Sequence, residues 1–299
     1  MFFFSLLTCP LFSNTDLGIP PHLLHTQFRG ECTYTAENDV HFPELTVGET
    51  LSFAAYAKAP QLSLPGMTRD AYAEYMKKVV IALLGLQSAV NTKLGNEFIR
   101  GVSGGERKRV SIAEALIGWS PLQCWDNSTR GLDSATALEL IRTLRLFTKS
   151  AGSTAIMSIY QGSQHMYDTF DKVTVLYEGH QIFFGSTSRA KHYFEELGFR
   201  CPAEATTADF LTSLTNPAEA ESLVLDEHKP RAPRTAVEFR ERWLCSADRS
   251  QLLEEIHSYE AEFPLGGRHL EAFSRMRQHE KSPKLYVTSL LISSSWLEP

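Results

Sequence analysis

The sequence predicts an α/β fold, with helices layered on a mostly parallel sheet. Three observations predict it. Short apolar runs of strand length, at 121–125, 153–159, 173–177 and 181–184, alternate with stretches of helical period. Two of those runs flank Glu178-Gly179-His180, a hairpin signal. The balance of 43% hydrophobic to 21% charged residues over 299 positions is that of a globular chain with a sizeable core.

Taken in order, residues 1–27 show no convincing periodicity. Met1 to Phe12 is apolar, but it lacks the basic flank and small-residue cleavage site of a secretory signal. It reads as an irregular start, such as a misplaced gene start or a terminus lifted out of context. From Phe28 to Phe53 the text is turn-rich with short β-like runs. Asp70 to Leu86 is helical, because Tyr72, Tyr75, Met76, Val79, Val80, Leu83 and Leu84 recur at i, i+3, i+4, and Gly85-Leu86 marks its C-terminus. Glu106 to Ile117 is a second helix, entered from Ser103-Gly104-Gly105.

Pro121 to Trp125 is a buried strand, and Ser134 to Thr148 a helix with Ala135, Leu138, Ile141 and Leu144 on one face. Ser153 to Ile159 is a strand and Gln164 to Phe170 a short helix. The hairpin follows, and then a helix from Ser188 to Leu197. Asn216 to Pro233 is polar and proline-bearing and reads as a linker. Ala236 to Glu262 is a charged helix, Gly266 to Lys284 is charged and mobile, and Lys284 to Pro299 ends in an apolar run. The organisation expected is an irregular start over 1–27, one α/β domain over 28–215, and a linker with a helical segment over 216–299.

Net charge is −6, which offers no basic footprint for nucleic acid. The five cysteines are scattered and form no CxxC pair, against a zinc site or a disulfide framework and in keeping with a reducing cytoplasm. No stretch reaches the roughly 18 consecutive apolar residues of a membrane helix. His41 and His165 stand alone and read as loop or surface residues. Arg107, Lys108 and Arg109 read as a solvated helix face, and Tyr193, Phe194 and Phe199 as core.

Two motifs carry chemistry. Val102-Ser103-Gly104-Gly105-Glu106-Arg107-Lys108-Arg109-Val110 opens a helix whose first turn leaves backbone N–H groups free for an anion. Ser-Gly-Gly alone reads as a glycine turn before an amphipathic helix, and it is the second motif at suitable spacing that favours the anion site. Leu122-Gln123-Cys124-Trp125-Asp126-Asn127-Ser128-Thr129-Arg130-Gly131-Leu132-Asp133-Ser134 is a strand ending in an acid, then a tight loop, then a helix. An acid there can meet Mg²⁺ directly or through water, or can serve as a cap or loop acid.

Together these strings resemble the ABC ATPase signature followed by its Walker B strand and D-loop. The wider pattern is similar to the first nucleotide-binding domain of fungal pleiotropic-drug-resistance (ABCG-type) ABC transporters. It includes Tyr34-Thr35-Ala36-Glu37-Asn38-Asp39-Val40-His41-Phe42-Pro43, Leu45-Thr46-Val47-Gly48-Glu49-Thr50-Leu51, Ile159-Tyr160-Gln161 and Thr206-Thr207-Ala208-Asp209-Phe210-Leu211-Thr212. The resemblance runs from Phe28 to Pro217. It implies a partial P-loop NTPase with a helical signature subdomain and a helical linker, acting in ATP-driven export of hydrophobic compounds at the cytoplasmic face of a membrane. ATP and Mg²⁺ would be the cofactors, and a second nucleotide-binding domain and transmembrane domains the partners, with no nucleic acid.

The resemblance also assigns roles by position. Ser103, Gly104 and Gly105 would cap the γ-phosphate of ATP held by the partner domain, and Asp133 would couple the two sites. Asp126 would hold Mg²⁺. Glu37 stands where the family's common pattern has the Q-loop glutamine, Asn127 where it has the catalytic glutamate, and Tyr160 where it has the switch histidine. An amide at 127 takes no proton from water, and losing a general base costs about 10²–10⁴ in rate. Tyrosine, with an ordinary pKa of about 10, is a poor base at neutral pH. No G-x-x-x-x-G-K-[ST] phosphate loop occurs in the sequence. The expectation is therefore very weak ATP binding and no useful hydrolysis by this chain alone. Two other readings remain open: a non-catalytic remnant, and a soluble ABC ATPase acting on nucleic acid.

Overall fold

A computed structural model describes residues 3–7, 19–26, 28, 30–59, 67–118, 120–160, 162–267, 270–271 and 274. The chain forms two compact units, one from residues 14–132 and 263–299 and one from residues 1–13 and 133–262. Strand β1 (Phe3–Leu7) belongs to the latter.

The first unit opens on α1 (Pro21–Thr26) and β2 (Cys32–Thr35). A helix the sequence pattern does not predict follows, α2 (Val47–Lys58). Its start is a capping box: Glu49 N donates to Thr46 Oγ1 at 3.2 Å, and Thr46 N donates to Glu49 Oε2 at 2.8 Å. The turn-rich reading of residues 47–53 is thus corrected, since the T-x-x-E start outweighs the local glycine and Val47, Leu51, Ala54 and Ala55 are buried. Helix α3 (Arg69–Leu83) starts at a Thr68 cap, buries Ala73, Met76, Val80 and Ile81, and is followed by Gly85 at φ 62°. Helix α4 (Gly104–Ile117) packs on α2 and α3, and β3 (Leu122–Trp125) pairs parallel with β2, Cys32 against Leu122 and Tyr34 against Cys124. The loop before α4 is tight enough that a Cβ on Gly101 would lie 2.3 Å from Leu94 O, so only glycine fits.

The second unit continues with α5 (Ser134–Ala151), β4 (Thr154–Ile159), α6 (Gln164–Tyr167), β5 (Lys172–Tyr177), β6 (His180–Ser186) and α7 (Thr187–Glu196). Then come α8 (Thr207–Ser213), α9 (Pro217–Leu223), α10 (Ala236–Leu244) and α11 (Ala247–Glu262). Strand β1 lies between β4 and β5, antiparallel to both, with Phe3 opposite Ile159 and Val175. Residues 3–7, in a stretch without periodicity, are therefore a strand. Strands β5 and β6 form the expected hairpin, turned through Glu178 (φ 45°) and Gly179 (φ 78°), two left-handed residues that match the strand twist. Among the described residues β2 and β3 pair parallel, while β1 is antiparallel to its two neighbours and β5 to β6.

An aromatic core fills this unit. Phe183 packs on Tyr193, Phe194 and Trp243, and Phe199 stacks on Phe239 at 5.4 Å. Trp243, Phe239 and Ala232 lie beyond residue 215, yet they belong to this buried cluster. Backbone bonds reinforce it, Arg200 N to Leu223 O at 2.7 Å and Leu225 N to Gly198 O at 3.0 Å. The linker reading of 216–233 is corrected accordingly. Polar and proline-bearing sequence there reflects the Asn216-capped start of α9 and a turn-rich return, not solvent exposure of the whole stretch. Most of 266–284 and all of 284–299 fall outside the described residues, as does Gln161.

Candidate functional site

The site begins where the β2/β3 ladder ends. Asp126 N donates to Thr35 O at 2.9 Å, carrying the pairing one residue past β3. Because Tyr34 lies opposite Cys124, its ring reaches along β3, and its hydroxyl donates to Asp126 Oδ2 at 2.7 Å. The Asp126 carboxylate in turn raises the Tyr34 pKa, since the phenol proton is held in that bond. The chain then turns through Asn127 at φ 42°, a left-handed conformation asparagine tolerates better than most residues.

That turn brings Asn127 to Glu37. Asn127 Nδ2 donates to Glu37 Oε1 at 3.0 Å, and Arg130 forms an ion pair with the same oxygen. Arg130 first, and Asn127 second, hold the Glu37 carboxyl below the usual glutamate range. The loop thus presents two carboxylates, Asp126 and Glu37, ringed by Tyr34, Asn127 and Arg130. Tyr34 and Arg130 stand inside the motif strings, but the motifs assign neither of them a role. Tyr34 could have been found only from the β2/β3 register.

The second cluster is the N-terminus of α4. Ser103 is the cap: Glu106 N donates to Ser103 Oγ at 3.3 Å, and Ser103 N donates to Glu106 Oε2 at 2.8 Å. The Glu106 carboxylate accepts from Ser103 N and also from Ser103 Oγ at 2.8 Å, and these two bonds, the backbone one first, lower its pKa. Gly104 and Gly105 are the first helical residues, with ordinary negative φ. A Cβ on Gly104 would meet nothing within 4 Å, and one on Gly105 would meet only Leu132 Cδ2 at 3.5 Å. Among the described residues, neither packing nor backbone geometry demands glycine there. What the glycines provide is a bare outer surface at a helix N-terminus.

Helix α4 also reaches the Glu37 segment. Lys108 is 3% exposed, which corrects the solvated-face reading of the basic run at this position. Its ammonium donates to Glu37 O at 2.9 Å and lies 3.3 Å from Asp39 Oδ1. His41 is not a surface residue either. Its ring is buried beside Ser111 Oγ at 2.8 Å and Glu114 Oε2 at 3.4 Å, and burial lowers its pKa. Cys32 and Cys124, scattered in sequence, are brought together on β2 and β3, where a bond from Cys124 lowers the Cys32 pKa to about 7.

Asp133 and Tyr160 belong to the other unit. Asp133 caps α5, accepting from Thr136 N at 3.0 Å and Thr136 Oγ1 at 2.6 Å, bonds that keep its pKa low. Tyr160 follows β4 and is 63% exposed.

Asp126 and Glu37 are hard oxygen donors. Two carboxylates fit Mg²⁺, which commonly takes one or two from protein and the rest from water and phosphate. Among the described residues no cluster of three or more His, Cys, Asp or Glu could hold a metal by itself. No helix among them is long and apolar enough to cross a membrane.

The family described as ABC transporter matches residues 15–130. An ABC-type transporter of Hericium erinaceus, eriD, is 59% identical over 261 residues, covering 87% of this chain and 18% of that protein. ABC multidrug transporter C of Aspergillus fumigatus is 55% identical over 279 residues, 93% of this chain and 18% of its own length. ABC multidrug transporter atrH of Aspergillus oryzae is 57% identical over 279 residues, 92% of this chain and 19% of its own. The chain thus spans about a fifth of the length of these relatives. An ABC transporter domain is thus matched over the residues that build the Glu37–Asp126 site and the α4 N-terminus, and the chain as a whole is similar to a portion of fungal ABC transporters.

Proposed function

We propose that this chain is a nucleotide-binding portion of an ATP-driven exporter of the pleiotropic-drug-resistance (ABCG) type, supplying Ser103, Gly104 and Gly105 to an ATP site shared with a second nucleotide-binding domain. The observation that carries the reading is the bare N-terminus of α4. The chain keeps two glycines where its own packing requires none, at a helix end whose N–H groups and dipole favour a phosphate. Ser103 would turn its hydroxyl from its own capping box toward the phosphate.

ATP is the expected ligand of an ABC domain. Mg²⁺, held by Asp126 with Glu37 beside it, would neutralise phosphate charge. On this side Asn127 cannot act as a base, so the nearer site holds nucleotide without turning it over efficiently. The chain alone does not hydrolyse ATP. Membrane domains and a hydrophobic drug or lipid cargo complete the reading, at the cytoplasmic face of the membrane.

Replacing Gly104 with valine in the full transporter tests it. Efflux of a fluorescent hydrophobic drug should fall to background while the protein stays folded and at the membrane. Efflux unchanged by Gly104→Val sinks the proposal. A second reading, a non-catalytic remnant, is favoured by the absence of a G-x-x-x-x-G-K-[ST] phosphate loop from the 299 residues. It predicts no change in transport from any signature substitution.

A further inference from the structure

A buried lysine is costly unless its charge and all its donors find partners. Lys108, on the helix that Ser103 caps, finds them in one short segment. Its ammonium reaches Ala36 O at 3.4 Å, Glu37 O at 2.9 Å and the Asp39 carboxylate at 3.3 Å. An ammonium has three donors, and these three acceptors match them. A second α4 side chain stitches the same segment: Ser111 Oγ donates to Asp39 Oδ1 at 2.6 Å and meets His41 Nε2 at 2.8 Å.

Glu37 is therefore gripped from two directions. Its backbone is held by α4 through Lys108, and its carboxylate by Asn127 and Arg130 from the loop after β3. We infer that Lys108 is a positioning residue: by fixing the Glu37 backbone to α4 it sets where the Glu37 carboxylate meets Asn127 and Arg130. The inference rests on the proposed function for its meaning. Its physical content, the dependence of Glu37 on Lys108, does not need nucleotide.

The test uses the 299-residue chain with three variants, reading the Asn127 side-chain amide resonances by NMR and backbone amide exchange over residues 36–39. In the unaltered chain the Asn127 amide should carry the shift of its bond to Glu37. K108M should move those resonances and speed local exchange about tenfold or more, without matching change in β3. Since K108M leaves Asp39 without its ion pair and can unfold the chain, the pair K108M with D39N removes both charges together and should show the same two changes. D39N alone keeps the contacts of Lys108 to the backbone carbonyls and should leave both readouts in place. A folded K108M/D39N chain with both readouts unmoved overturns the inference, and so does the same change in D39N alone, which would assign the effect to Asp39. These readouts can fail while the signature proposal stands. The Gly104→Val transport assay can fail while they hold.

Discussion

The side-chain amide of Asn127 faces the carboxylate of Glu37 across 3.0 Å. A glutamate at 127 would therefore meet a like charge, and two carboxylates at that range cannot both ionise freely. The left-handed φ of Asn127 also suits glutamate less. Asn127→Glu in the full transporter should recover less than about tenfold of the 10²–10⁴ that a missing base costs. Combining it with Glu37→Gln removes the repulsion and should recover more. Purified-transporter ATPase rates of the single and double variants check both, and a large gain from Asn127→Glu alone contradicts the argument.

Fold and proposed function separate cleanly at the start of α4. Ser103→Ala deletes the acceptor for Glu106 N and should cost about 1 kcal/mol of stability. Gly104→Ala adds a Cβ that meets nothing within 4 Å, so it should cost nothing or stabilise slightly. Denaturant unfolding of the 299-residue chain measures both. A destabilisation by Gly104→Ala as large as that of Ser103→Ala would show an intrachain need for the glycine.

Glu114 gives a pH signature. Burial raises its pKa from 4.5 to about 7, against the pull of Lys58 and with a small push from Asp39, and His41 lies within 3.4 Å. For a raised carboxyl, the folded state holds the proton more tightly than the unfolded state. Its contribution is present below pH 4.5 and is lost as pH rises through 7. Glu114→Gln should therefore gain stability relative to the parent as pH rises through those limits and keep it above them, by on the order of 2 kcal/mol at pH 8. Thermal midpoints measured at pH 5 and pH 8 test this. An equal difference at both values would mean Glu114 titrates normally.

Trp243 tests whether the segment beyond residue 215 is part of the fold. It is 2% exposed and contacts Phe183 and Tyr193 at ring-centroid distances of 5.3 and 5.6 Å. Trp243→Ala should cost about 3–5 kcal/mol. A loss below about 1 kcal/mol would be that of a surface residue on a loose tail.

Much of the fold was legible because its signals are local. Helix α3 shows in the spacing of Met76, Val80 and their neighbours, the β5–β6 turn in Glu178-Gly179, and the entry to α4 in Ser103 with Glu106. Helix α2 was equally local in its Thr46–Glu49 box, but a glycine and mixed polarity hid its period. The paired behaviour of Tyr34 with Asp126, and of Arg130 with Glu37, was not legible. Those partners lie far apart in the chain, and only the β2/β3 register and the turn at Asn127 bring them into reach.

By itself the sequence determined the helices and strands whose apolar period and caps are written within a few residues, and the identity of the motif side chains Ser103, Gly104, Gly105, Asp126 and Asn127. Only tertiary structure decided that Lys108 leaves solvent to hold Glu37, that residues 216–233 return to an aromatic core, and that β1 pairs between β4 and β5. The physical reason is the same in each case. Burial, ion pairing and strand registry are interactions between residues distant in the chain, and no local pattern encodes which distant partner will be there.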